Sequence, residues 1–178
     1  MKYMQLRSNM FETNSSSMHS ISIGPDCKED MMDSSSLRPD SSGTIELRGG
    51  EFGWSEEKFT DAYTKANYLA VWVKVYSNQK EKDRKLLNAV LKKQTGAKKI
   101  EWAFSTDWKG RNLSYIDHQS DNVAAELFDC KMAWAREGSG EYKNVSVKGK
   151  TTRTKVAEKI RQFVFNPKSV LVTDNDNH

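Results

Sequence analysis

The chain is poor in the features that staple, anchor or label a protein. Two cysteines, Cys27 and Cys130, occur among 178 residues. They lie far apart, with no CxxC or Cys/His ligand spacing, so the pattern gives no basis for a structural zinc site or a disulfide scaffold. Spacing leaves a single Cys27–Cys130 disulfide open, and two reduced thiols are the favoured state. No stretch approaches the roughly 20 apolar residues of a membrane span. Residues 1–23 lack the apolar core of a secretory signal. A soluble, intracellular protein with no membrane partner is therefore expected. Neither a GxGxxG nor a Walker string is present, and no cofactor is expected. The tail Asp174-Asn175-Asp176 offers carboxylate oxygens but lacks the Gly and Glu of an EF-hand loop, so no metal site is expected either.

Material for a core is plentiful. Hydrophobic residues make up 37% of the chain and charged residues 29%, a globular rather than a disordered balance. Five Trp, seven Phe and six Tyr contribute large rings, each burying roughly 150–250 Å². The length suits one domain over 1–178. A net charge of +4 is compatible with an anionic partner without specifying one.

Hydrophobic periodicity outlines the elements. Residues 1–10 are expected to pair as an edge strand. Met18 to Ile23 alternates with period two, placing His19, Ile21 and Ile23 on one face of a half-buried strand that Gly24-Pro25 ends. Residues 27–43 are expected to form a long mobile loop. A short strand follows over 44–48. Ser55 is the expected cap of a long helix whose apolar residues, from Phe59 through Trp72 to Tyr76, occupy nearly every face. A second helix spans about 81–93 and stops at Gly96. Further strands are predicted over 99–105, 142–148 and 169–173, and further helices over 122–136 and 154–165. The tail 174–178 is expected to be flexible. Strands and helices mix without a βαβ rhythm. The predicted class is α+β: a small mixed or antiparallel sheet of short strands packed on a long buried helix and about three further helices.

Two short strings concentrate the chemistry. In Asn14-Ser15-Ser16-Ser17-Met18-His19, hydroxyls and backbone N–H groups before a strand offer a convergent donor surface for phosphate, beside an imidazole that titrates near neutral pH. Its structural reading is a loop leading into a core histidine satisfied by a backbone carbonyl. In Asp117-His118-Gln119-Ser120 a carboxylate adjoins an imidazole; taken alone, the segment reads as a turn before a helix cap at Asp121. Together they place His19, His118 and Asp117 as catalytic candidates, with Asn14, Ser15, Ser16, Ser17, Ser120 and Arg7 as ligand-binding candidates. The paired arrangement resembles in outline the His-x-Ser/Thr pairs of two-histidine phosphoesterases; His118-Gln119-Ser120 fits, whereas Ile21 stands where the first pair needs a hydroxyl. Glu141-Tyr142-Lys143 is an ExK string of the kind nucleases use, without a clear upstream aspartate. Lysines over 143–161, and Trp108 with Lys109 and Arg111, suit a phosphate backbone, although solvated faces explain such lysines about twice as readily.

The opening, Arg7-x-x-x-Phe11-Glu12-Thr13-Asn14-Ser15-Ser16-Ser17-Met18-His19-Ser20, resembles the start of uncharacterised bacteriophage and bacterial proteins that begin with an FETNSSSTHS-like string, with Met18 in place of Thr. The segments 50–54, 116–120 and 174–177 are similar to later parts of such proteins. The resemblance implies phage origin and a host bacterial cytoplasm, and brings no activity. The expected function is binding of a phosphate-bearing ligand, a nucleotide or nucleic acid, with phosphoester cleavage or transfer as its catalytic form. The alternative is a non-catalytic module that binds a host protein or nucleic acid during infection; a structural virion component is a third reading.

Overall fold

Alternation in the sequence becomes alternation in burial where a sheet has one covered face. The computed structural model describes residues 4–7, 19–53, 55–107, 113–116, 123–136 and 142–173; along 4–7, 131–136 and 142–148 it describes the backbone. Strand β2 (Ser20–Ile23) buries Ile21 and Ile23, while Ser20 and Ser22 are half-buried. It pairs antiparallel with β1 (Met4–Arg7) on one side and with β10 (Val170–Thr173) on the other. A short strand β5 (Glu57–Phe59) completes the order β1-β2-β10-β5. The first and last of the described strands thus join one antiparallel sheet, in keeping with the α+β class.

Two parallel pairs lie elsewhere: β3 (Thr44–Leu47) with β6 (Lys99–Trp102), and β4 (Glu51–Phe52) with β7 (Tyr115–Ile116). Helices α1 (Ala62–Val75) and α2 (Lys80–Thr95) make the crossover from β3 to β6. Helix α3 (Arg153–Phe165) packs on both, and β8 (Cys130–Arg136) forms an antiparallel ladder with β9 (Tyr142–Lys148).

Helix α1 is the centre of the core. Alanines and large apolar residues from Ala66 to Val73 are buried, with Asn67 among them. An isolated helix apolar on every face would be insoluble, so α1 exists because α2, α3, β3 and β7 surround it. Trp72 lies flat on Phe128, ring centroids 5.1 Å apart and planes inclined by 10°. Helix α2 is amphipathic, burying Leu86, Leu87, Val90 and Leu91, and Gly96 ends it in the left-handed conformation at φ 74°.

Two expected elements are different in the structure. Helix α1 begins at Asp61, whose carboxylate accepts a hydrogen bond from Thr64 N at 2.8 Å, and not at Ser55. Residues 57–59 are claimed instead by the β10 edge. The predicted helix over 122–136 is a series of turns over 123–129 followed by strand β8. Val123, Leu127 and Phe128 fit helical spacing and are buried, but the backbone bonds after Asp129 are supplied by β9, a nonlocal partner that outweighs local periodicity. Asp129 stands at the junction with φ 54°, and its carboxylate accepts from Thr151 N and Thr151 Oγ1 at 2.7 and 2.8 Å.

Residues 27–43 contain a 3-10 turn, Glu29–Met31, and are pinned by the burial of Leu37. Asp40 Oδ1 accepts from the N–H groups of Ser42 and Thr44, an Asx-type arrangement that sets the entry to β3. Between β3 and β4 the chain turns at Gly49, φ 72°, where its N–H donates to Asn67 Oδ1 at 2.7 Å. A Cβ there would collide with the Ser114 side chain and the Phe104 ring. Gly49→Ala is expected to lower the unfolding free energy by about 2 kcal/mol, from left-handed strain plus overlap, measurable by urea denaturation.

Candidate functional site

The strand alternation that leads into β2 carries His19 inward, where it is 0% exposed. Its Nδ1 lies 3.2 Å from the Tyr68 hydroxyl, and the two rings are 5.8 Å apart at a 50° tilt. Tyr68 is equally buried, on α1, and meets Phe52 edge to face at 5.1 Å. Phe52 is the ladder partner of Ile116 in the parallel β4–β7 pair, and also packs edge to face on Phe59 at 6.2 Å. Tyr76, one helical stretch further along α1, donates its hydroxyl to the Ile116 carbonyl at 2.8 Å.

These contacts have a consequence for the two strings singled out in the sequence. His19 is the described residue that adjoins 14–18, and Ile116 the one that adjoins 117–120. Two ring contacts and one ladder rung, a spacing of roughly 4.8 Å, connect them: His19 to Tyr68, Tyr68 to Phe52, Phe52 to Ile116. The remaining candidates, Asn14, Ser15, Ser16, Ser17, Asp117, His118 and Ser120, lie outside the described residues. Arg7 is placed by its backbone, opposite Ser20 in the β1–β2 ladder. Glu141 and the 108–111 aromatic–basic string also lie outside them.

Tyr68 is a neighbour of the candidate His19 that periodicity could not single out, because on a helix buried on all sides it reads as one more apolar ring. Its hydroxyl meets His19, which is 49 positions away.

A second buried polar cluster surrounds Lys65, also on α1 and 0% exposed. Its ammonium donates to the carbonyls of Ser169 at 3.1 Å and Asn166 at 3.3 Å, and lies 5.8 Å from the centroid of Phe163. Asn166 caps the C-terminus of α3, so the cation also faces the negative end of that helix dipole. Burial lowers the Lys65 pKa to about 8, against the raising effect of Asp61 and Asp33. Around it Asn166 Nδ2 donates to Pro25 O, Ser169 Oγ to Gln162 O, and Gln162 Nε2 to Cys27 O, at 2.9–3.1 Å. This net ties the end of α3 to the exit of β2. Its components are all satisfied within the fold, which marks it as a structural lock.

Both cysteines are free thiols, Cys27 half-buried and Cys130 buried. Among the described residues no three His, Cys, Asp or Glu side chains gather to hold a metal ion, and no helix is long and apolar enough to cross a membrane.

Comparison with known proteins gives no matching family model, no matching curated protein and no matching solved structure. The chemistry of the chain's own residues therefore carries the functional argument.

Proposed function

We propose that the protein binds a phosphate-bearing ligand, a nucleotide or nucleic acid, in a pocket between residues 14–19 and 117–120. The observation that supports this reading is the aromatic relay from His19 through Tyr68 and Phe52 to Ile116, which ties the borders of the two strings to one cluster. Hydroxyls of Ser15, Ser16, Ser17 and Ser120, the Asn14 amide and the Arg7 guanidinium supply donors suited to phosphate oxygens. In the catalytic form, a phosphoesterase or transferase, His19 and His118 act as base and acid, with Asp117 orienting His118. On the resemblance of the opening string, the setting is an infected bacterial cytoplasm.

The test is calorimetric titration with a nucleoside triphosphate. The expected result is saturable binding that weakens at least roughly tenfold in a Ser15→Ala/Ser16→Ala/Ser17→Ala variant and in His118→Ala, with thermal unfolding unchanged. Equal affinity in all three proteins overturns the pocket. An experimental structure with His19 and His118 more than about 12 Å apart and no shared cleft overturns the catalytic form, since acid and base must reach one substrate.

The complete burial of His19 favours a second reading, in which the imidazole serves the core and the protein is a non-catalytic module that binds a host protein or nucleic acid. Binding to nucleic acid that falls steeply with added salt, without turnover of any phosphoester, supports that alternative.

A further inference from the structure

We propose that the cleft between the end of α1, the start of α2 and the end of β6 is a separate binding site for a single phosphate group, held by Lys74, Lys80 and Arg84. The cleft measures about 200 Å³ and is lined by Val73, Lys74, Lys80, Glu81, Arg84 and Trp102. It shares no residue with the His19 cluster.

Three cations and one carboxylate face this space. Arg84 lies 3.8 Å from Glu81, long for a hydrogen-bonded pair, and much of its fork of N–H donors stays available. Lys74 has no carboxylate within ion-pair distance among the described residues. Its ammonium donates to the Phe104 carbonyl and lies 4.6 Å from the Phe104 ring centroid. Burial and the positive charge of Arg84 both press its pKa below the ordinary lysine value. Two like charges are thus held together beside apolar surface, an arrangement that costs free energy until an anion enters between them.

The cations are also held in place. Arg84 sits 5.2 Å from the centroid of Trp102. Trp102 is fixed in turn by its indole N–H, which donates to Asn88 Oδ1 at 2.9 Å, and by stacking on Phe104 at 6.0 Å and 20°. An arginine resting on a fixed ring loses less freedom on binding an anion than a free surface side chain does. Lys80 opens α2, whose N-cap Gln79 makes no side-chain cap, so the positive end of the helix adds to the field. Size sets the ligand class. The cleft is smaller than the roughly 300–1,000 Å³ of pockets that enclose a whole small molecule. It takes one phosphate, the remainder of the ligand lying outside. With one ring face toward Arg84 and stacking on Phe104, Trp102 serves as a wall and not as a platform for a base.

The experiment follows the Trp102 indole N–H resonance, assigned with Trp102→Phe, during titration of the full chain with inorganic phosphate and, separately, with a single-stranded oligonucleotide. Lys74→Gln and Arg84→Gln are compared with Lys92→Gln/Lys93→Gln, which removes charge at the far end of α2. Saturable shifts with phosphate, weakened roughly tenfold in Lys74→Gln and Arg84→Gln but less than about twofold in the Lys92/Lys93 control, are expected. Shifts with the oligonucleotide alone assign the phosphate to a polynucleotide backbone; shifts with both admit a free phosphate group. No saturable shift with either probe, or equal weakening in the control, overturns the proposal. Loss of binding in these variants leaves the serine and His118 variants above unaffected, so each site stands or falls alone.

Discussion

Replacing Lys65 by Ala is expected to lower the unfolding free energy by about 3 kcal/mol, and the pH dependence of stability will identify the cause. Truncation leaves a void beside Phe163 and strips the buried carbonyls of Asn166 and Ser169 of their donor; each unsatisfied buried group costs about 1–3 kcal/mol, partly offset because no ammonium has then to be desolvated. Lys65→Met keeps much of the volume, so a smaller loss is expected. The titration gives the sharper readout. In the folded protein Lys65 releases its proton near pH 8, whereas the unfolded chain holds it to the ordinary value of 10.5. Between these values the unfolded state binds more protons, so Lys65 makes stability rise with pH; as pH falls through 8 that contribution is lost, and below it both states are protonated and the slope vanishes. The window corresponds to a few kcal/mol at most, of order 3. Denaturant unfolding of wild type and Lys65→Met from about pH 7 to about pH 10 should therefore show wild type gaining stability relative to the variant. A constant difference across that range would mean that the amine is not held as the structure shows.

Trp72→Ala is expected to have the larger effect, about 4 kcal/mol. Trp72 is 0% exposed, lies in the last turn of α1 and covers the face of Phe128, itself 0% exposed. Its removal opens a cavity among α1 and the 123–129 turns that small rotamer changes cannot fill, and forfeits the ring-on-ring contact as well. For a domain whose total stability is of the order of 5–15 kcal/mol, that is a substantial fraction. Thermal and urea unfolding measure it. Trp72→Phe, which retains an aromatic ring against Phe128, should recover more than half of the loss. Near-zero destabilisation in Trp72→Ala would contradict α1 as the centre of the core.

The same residues show how far the sequence could be read. Period-two alternation before and through β2 is a local property of the chain, and His19, Ile21 and Ile23 are all buried as it requires. Helix α2, with its apolar stripe and Gly96 stop, is equally local. The α+β class follows from the succession of such elements. For the candidate site, local pattern led to a conditional expectation: if residues 14–19 form a site, Asp117 and His118 lie beside it. Residues 14–18 and 117–120 lie outside the described residues; His19 and Ile116, which border them, belong to one buried cluster with Tyr68 and Phe52.

What local pattern could not decide was everything that depends on a distant partner. Residues 130–136 become a strand because 142–148 supply a ladder, although the buried apolar residues just before them have helical spacing. Residues 57–59 join the sheet because β10, more than a hundred positions later, offers an edge. Lys65 enters the core because carbonyls at 166 and 169 converge on it, and Lys74 meets Arg84 because the end of α1, the start of α2 and the end of β6 come together. By itself the sequence determined which faces are apolar, since that is set by side-chain period; only the tertiary structure decided which polar atoms meet, since hydrogen bonds and charge pairs act over a few ångströms in space and not along the chain.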